Sequence, residues 1–430
     1  MDKKIRVVVI GCGDRSTTYC EEGVLKSSRM EIVAAIDPNT ERLRYMQEHF
    51  GVPADKCYTD IESVLKQGKI GDCVINGTMD QYHFDTAVPF LEQGYDMLLE
   101  KPVVNNEKDL LTIRDIAEQN GCKLTVCHVL RYAPFYKTIK EILLSGDLGE
   151  IMNIQTSERV GAFHSSVSYL RGKWNREDVC GSSFLLAKCC HDIDLLCWLN
   201  NTTEPLSVVS MGGRNYFVEE KAPANAGTKC LNDCPQELRE KCIYNAENMY
   251  LEHCLLPQYP WQCTGKNYQD VTEEEKIASL KGENPHGKCI YKAGGDLVDH
   301  QNVMIHFKNG STALHTMTMG AMRPGRSIWI QGTEGELEGW AEDGKIYRRK
   351  YDKNSSMFVE NCIVPAALEG EVSGHFGGDR GLVMDFCDRL EGMEPSISCT
   401  SIDDSIWGHR VCYAADKSMR EDKIYTLETL

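Results

Sequence analysis

The sequence predicts an α/β protein that opens with a doubly wound parallel sheet. Three observations predict it. Short apolar strands alternate with helical stretches through the first 128 residues. A glycine turn, Gly11-Cys12-Gly13, joins the first strand to the first helix. The second strand ends in an acid, Asp37.

The elements follow in order. Residues 5–10 are a β-branched run that stops at the glycine turn, and a helical stretch continues to about 28. Residues 31–36 form the second strand, which ends at Asp37-Pro38. Helices are expected over 41–50 and 60–67, a strand over 72–76, a helix over 82–93 and a strand over 95–99. A helix over 107–120 and a strand over 123–127 complete the alternation. Strands separated by helices must run parallel, and ligands then gather at their carboxyl ends.

Gly11–Ser16, Asp37, Asn76-Gly77-Thr78 and Lys101 all fall at such strand ends. Gly11 and Gly13 let backbone N–H groups approach a pyrophosphate at the N-terminus of a helix that begins Asp14-Arg15-Ser16. Asp37, 26 residues after Gly11, is placed to accept from a ribose 2′-hydroxyl. A 2′-phosphate would meet its charge, so NAD is favoured over NADP. Gly77, Thr78, His83 and Glu100 are assigned to the same cofactor cleft. Ser16 departs from the usual pattern by standing where a third glycine is expected; the bland alternative is a glycine turn with no nucleotide. In Glu100-Lys101-Pro102, the proline forces Lys101 out of the helical region and holds it at a strand end. An ammonium there can polarise an alcohol or carbonyl oxygen; an isolated lysine would otherwise read as a surface residue.

Composition narrows the partners. With 47 basic against 64 acidic residues, the net charge is −17 and no basic concentration suits a phosphate backbone, so neither nucleic acid nor an anionic membrane is an expected partner. No apolar run reaches membrane-spanning length, and the N-terminal stretch lacks the pattern of a secretory leader, so a cytoplasmic location is expected. The 20 cysteines are then thiols or metal ligands rather than a disulfide scaffold.

Further along, residues 187–199 have helical periodicity. Lys188, His191 and Leu195 are three and four apart and share one side, and each cation lowers the pKa of the other, which suits a neutral imidazole base. Asp192 and Asp194 cap the helix, orient neighbours or meet substrate hydroxyls. Trp174, within 168–175, is of a type that lines sugar pockets. His300, in an apolar strand, points either into the substrate site or into a sheet. His128, Arg131 and Tyr132 follow the last strand of the first sheet and lie near nicotinamide or substrate.

Gly11-x-Gly13, Asp37, Glu100-Lys101-Pro102, Arg131-Tyr132 and His191-Asp192-Ile193-Asp194-Leu195-Leu196 together resemble the glucose–fructose oxidoreductase/inositol dehydrogenase/MocA family. The stretch 298–339, the segment 374–386 and the helix from Ser401 extend the likeness over nearly the whole chain. The resemblance implies a Rossmann domain followed by an α/β domain with a large, open, mostly antiparallel sheet. It implies division into 1–128 and 129–430, a nicotinamide cofactor, sugar- or polyol-like substrates, and homo-oligomers, dimers or tetramers, built through the open sheet. The family's lysine maps onto Lys101 and its catalytic histidine onto His191. Many members carry an aspartate four residues before that histidine; here the position is Ala187, with Lys188 next to it, and Lys188 is taken as a third catalytic residue. Arg131, Tyr132, Trp174, Asp192 and His300 are taken as substrate residues. The function expected is hydride transfer between a hydroxyl carbon of a sugar, glycoside or cyclitol and NAD. A second reading keeps the cofactor but cleaves glycosides by transient oxidation at C3, elimination and re-reduction. A third is a nucleotide-binding regulatory protein without turnover.

Residues 212–292 exceed any ordinary loop and are read as an insertion. Cys230, Cys234, Cys242 and Cys289 within it suit a structural tetrahedral zinc site, with an iron–sulfur cluster as second choice and reduced thiols as the alternative.

Overall fold

A computed structural model describes residues 3–355, 357–366 and 375–428. The first sheet comprises β1 (Ile5–Ile10), β2 (Met30–Ile36), β3 (Cys57–Tyr58), β4 (Cys73–Asn76), β5 (Asp96–Leu99) and β6 (Leu124–Val126). All its pairs are parallel, in the order β3-β2-β1-β4-β5-β6, with the chain reversing direction across the sheet between β1 and β4. That reversal opens a crevice at the strands' carboxyl ends. β1 and β4 bury almost every residue because helices cover both faces, which is why they read as continuous apolar runs. The two-residue β3 escaped the sequence reading, being too short for any period. The expected 60–67 helix is confined to Glu62–Leu65.

The helices obey local signals. Asn39 accepts from the Glu41 N–H ahead of the Thr40–Phe50 helix, and Asn106 from the Asp109 N–H ahead of Glu107–Gln119. The first helix, Asp14–Cys20, widens into a π-helical turn over Glu21–Lys26.

The second sheet has nine strands: β7 (Ile151–Gly161), β8 (Pro205–Gly213), β9 (His300–Phe307), β10 (Thr312–Ala321), β11 (Gly325–Gly332), β12 (Gly335–Trp340), β13 (Lys345–Asp352), β14 (Met357–Ile363) and β15 (Tyr425–Thr426). Their order is β14-β13-β12-β11-β7-β10-β9-β8-β15. Only the β7–β10 pair is parallel. β9 shows the half-buried alternation: Val303, Ile305 and Phe307 are buried under helices, whereas Met304 is exposed. The Cys190–Leu199 helix lies on the covered face and is buried at every position.

Two helices from the far end of the chain return to the first sheet. Leu382, Val383, Phe386 and Cys387 of Gly378–Leu390 join the core around Val7 and Val9. Ile402 and Ile406 of Ile402–Glu421 join the core on the opposite face. Thr400 O accepts from Val126 N at 2.8 Å beside β6.

Candidate active site

The cleft at the end of β1 is shaped by what glycine permits. Gly11 has φ +74°, and a Cβ there would stand 2.7 Å from Thr78 N and 2.8 Å from Gly77 O. Any side chain would push the two strand ends apart. A Cβ on Gly77 would fall 2.3 Å from Ser16 Oγ. Ser16 therefore occupies the expected third-glycine position because Gly77 yields the space opposite. The Ser16 hydroxyl is buried and has no partner among the described residues. A Cβ on Gly13 would meet nothing nearer than an Arg42 nitrogen at 4.0 Å, and the helix that follows has no side-chain cap. Open space, an uncapped helix N-terminus and an orphan hydroxyl fit a dinucleotide's pyrophosphate.

Asp37, 2% exposed, is oriented by two backbone donors: Cys12 N and Asn39 N, each at 2.8 Å. Arg42 Nη1 lies 3.4 Å from the same carboxylate. Thr78 Oγ1 donates to Asn76 Oδ1 at 3.0 Å, which stiffens the β4 exit. His83 is a bracket rather than a cleft residue. It is buried, with Nδ1 2.7 Å from Pro102 O and Nε2 3.1 Å from Thr78 O, so it ties the β4 exit to the β5 exit.

Arg15 is likewise held by the protein. Its guanidinium donates to Glu100 Oε1 at 3.0 Å, to Tyr19 Oη at 2.7 Å, and to Asp379. Glu100 Oε2 accepts the Lys101 N–H at 2.9 Å. Burial pushes the Glu100 carboxyl up, but Arg15 and Lys101 outweigh it and hold it below the usual range. Both residues thus aim the Lys101 backbone. The Lys101–Pro102 peptide is cis.

Lys101 Nζ donates to the carbonyl of Ala187 at 2.8 Å. Ala187 lies one helical turn before His191, so the contact docks the ammonium beside the imidazole. His191 is 5% exposed, and its Nδ1 has no partner among the described residues. Its ring lies 5.7 Å from that of His128 and 6.0 Å from that of His375. Burial lowers its pKa, and the nearby charges of Lys101, His128, His375 and Arg326 push the same way, so the ring is neutral at pH 7.

Lys188 departs from the expected pairing. It lies in a π-helical turn over Leu185–Cys189, directly before the helix that carries His191. Its ammonium sits 3.8 Å from Glu158, which joins Asp192 on the guanidinium of Arg326 at 2.6 and 2.8 Å. Burial lowers its pKa against the opposing pull of Glu158. Of the nearby charges, Lys101 bears most strongly on the His191 ring.

Several expected substrate residues are consumed elsewhere. Arg131 is buried, and its fork grips Asp194 at 2.7 and 2.6 Å. Tyr132 donates to Asp385 at 2.7 Å in the core of the first sheet. Asp192 gives Oδ1 to Arg326, while its buried Oδ2 has no hydrogen-bond partner among the described residues. His300 pairs with Asp299 at 2.8 Å, at the base of the insertion. Trp174 keeps a face toward the cleft region: Lys173 Nζ lies 4.2 Å over its ring, and that ammonium feels the charges of Arg42, Asp14, Asp80 and Lys101. Tyr259, from the insertion, stacks obliquely at 6.5 Å and feels Asp14, Arg15 and Glu100. The insertion therefore flanks the nucleotide cleft.

Sequence reasoning missed His164, which feels Lys188, Arg326, Lys101 and His375, and the pair His375–Asp379. His164 carries no local signal. The i, i+4 spacing of His375 and Asp379 at a helix start was the available clue.

Cys230, Cys242 and Cys289 lie near enough to feel one another's charge but, among the described residues, are not gathered at ligand distances. Cys230 and Cys289 flank a backbone bridge between Lys229 and Lys288. Among the described residues, no three of Cys230, Cys234, Cys242 and Cys289 bring their sulfurs within 4.8 Å of one another. Neither zinc nor an iron–sulfur cluster draws support from that arrangement. The segment instead takes shape around the buried Arg171, which donates to Lys288 O, Tyr244 O and Ser166 Oγ at 2.7–2.9 Å. Cys189, Asp192 and His315 do bring their ligand atoms within 4.8 Å of one another. Arg326 already neutralises that carboxylate.

With this geometry in place, likeness to known proteins is decisive. Residues 5–128 match the NAD-binding Rossmann fold of the Gfo/Idh/MocA oxidoreductase family, and residues 140–362 match its C-terminal alpha/beta domain. The protein belongs to that family. It is 24% identical over 404 residues to the oxidoreductase YteT of Bacillus subtilis, covering 89% of this chain and 90% of that one. It is 25% identical over 224 residues to inositol 2-dehydrogenase of Corynebacterium glutamicum, covering 52% and 59%. Among solved structures, levoglucosan dehydrogenase in complex with NADH and levoglucosan superposes with a TM-score of 0.70 at 16% identity, covering 99% of this chain and 100% of that one. An Agrobacterium radiobacter oxidoreductase in complex with NAD+, L-tartaric acid and magnesium gives 0.67 at 15% identity, covering 99% and 98%. Among the described residues, no helix is long and apolar enough to cross a membrane.

Proposed function

We propose that this protein oxidises a hydroxyl carbon of a sugar, glycoside or cyclitol with NAD as hydride acceptor. The observation that carries the reading is the Lys101 Nζ bond to Ala187 O, one turn ahead of the neutral, half-orphaned imidazole of His191. Gly11, Gly13, Ser16, Gly77 and Thr78 would hold the pyrophosphate side of the cofactor, and Asp37 its ribose. When bound, the nicotinamide supplies the hydride acceptor. Asp37 favours a ribose hydroxyl over a phosphate at that position, which supports NAD.

The chain's own residues manage the proton. An ammonium has three N–H donors. One is spent on Ala187 O, and the others remain for the oxygen of the reacting alcohol. There they stabilise charge as the C–H bond weakens. His191, neutral and buried, accepts the hydroxyl proton. The family's frequent aspartate is absent at Ala187, so the backbone carbonyl takes over the task of docking the lysine. Homo-oligomers through the exposed face of the nine-stranded sheet are part of the same proposal.

The test is a panel of myo-inositol, D-glucose, levoglucosan and alkyl glycosides with NAD, read by NADH absorbance and product analysis. Stoichiometric NADH with an oxidised product is expected. Glycoside cleavage without net NADH would replace the proposal by the redox-neutral reading. NADH binding without any product from the panel would leave a regulatory protein.

A further inference from the structure

One imidazole of the pocket neither gives nor takes a proton in the chemistry above. His375 precedes the Gly378–Leu390 helix, in His375-Phe376-Gly377-Gly378-Asp379. Gly374, just before it, lies outside the described residues. Gly377 has φ +82°, and a Cβ on Gly378 would fall 2.2 Å from Val129 O. The backbone of this turn is thus pressed against residues that follow β6, which fixes where His375 is presented.

Its side chain is oriented as firmly. Nδ1 donates to Asp379 Oδ2 at 3.1 Å. Asp379 is 2% exposed and is gripped by Arg15, which also binds Glu100, whose other oxygen holds the Lys101 N–H. A continuous set of polar contacts therefore links the His375 ring to the lysine. With the proton on Nδ1, Nε2 is an acceptor. The ring stands 6.0 Å from His191, tilted by 53°. The side chain of His375 is 29% exposed, so a ligand can reach it. The groups that face it are Asp379 on its own element, Arg15 on the first helix, Lys188 on the π-helical turn, His191 on the next helix, and His164 after β7. Two rings this close leave no room for a molecule between them. A ligand meets them side by side, as two adjacent acceptors.

We propose that His375 is a substrate-binding residue whose Nε2 accepts a hydrogen bond from the hydroxyl next to the one oxidised at Lys101 and His191, so that the site selects vicinal diols. Asp379 is its positioning residue. The inference rests on the dehydrogenase reading above.

The experiment compares wild type, His375→Ala and His375→Gln on whichever of myo-inositol, D-glucose or levoglucosan is oxidised, and on its analogue with the neighbouring hydroxyl replaced by hydrogen. The alanine variant should lose about 10–100-fold in kcat/KM on the diol, mainly through KM, as expected for one hydrogen bond in a partly buried site. On the deoxy analogue the variant and wild type should agree within about threefold. Glutamine, which keeps an acceptor, should recover part of the loss on the diol. NADH binding, followed by fluorescence, should be unchanged. An equal loss on both substrates, or no loss on either, overturns this inference alone. A wild type that oxidises none of the three overturns the reading beneath it as well.

Discussion

Ser16 and Gly77 are two halves of one packing decision. Gly77→Ala should weaken NADH binding about tenfold or more, because its Cβ would meet Ser16 Oγ at 2.3 Å. Adding Ser16→Gly should recover part of that loss but stop short of wild type, because the Ser16 hydroxyl is then missing from the pyrophosphate side; titration of NADH fluorescence decides, and a double variant as weak as the single would contradict the account. Arg131 illustrates the opposite outcome, a conspicuous residue spent on structure. Arg131→Ala leaves Asp194 charged and buried, and should cost about 3–5 kcal/mol in urea unfolding. A loss below about 1 kcal/mol would return Arg131 to the pocket. Gly11, Gly13 and Asp37 were legible because each answers to a local requirement of one strand–turn–helix unit. Arg131 was not, because its partner is 63 positions away. Nor can regular helical spacing register the π-helical turn that carries Lys188.

At the level of elements, the parallel strands were readable from their buried runs, and the long helices from their periodicity and caps. The return of the C-terminal helices onto the first sheet was not, since no local pattern reveals where a helix docks. That docking matters for the site. In the Ile402–Glu421 helix, His409 Nε2 accepts the Val103 N–H at 3.0 Å, and Tyr413 donates to Val104 O at 2.7 Å. The helix therefore grips the chain just after Lys101-Pro102. His409→Leu leaves a buried N–H unpaired and loosens the lysine's placement. It should lower kcat about tenfold while NADH affinity stays within about threefold. An unchanged kcat would show that the β5 exit is held by Glu100 and His83 without this helix.

Across the molecule, several imidazoles are buried and held toward the neutral form. Burial lowers the pKa of His128, His191 and His315, and takes His286 and His409 to about 4. Unfolding returns each to about 6.5. Below that value the unfolded chain binds more protons than the folded one, so this stability is complete above about pH 6.5 and is lost as the pH falls toward the folded values. The melting temperature should drop steadily from about pH 7 to pH 5; a flat profile would mean that these rings are not held neutral by the fold. The same burial keeps His191 neutral, as its proposed role as base requires, and the proposal centres on Lys101 beside it. The most direct test is single-turnover NADH formation by wild type and Lys101→Ala, each loaded with NAD and given the best substrate of the polyol panel. The account predicts NADH formation in wild type and a rate at least about 10²-fold lower in the variant, with NAD still bound. Equal rates in the two proteins would contradict it.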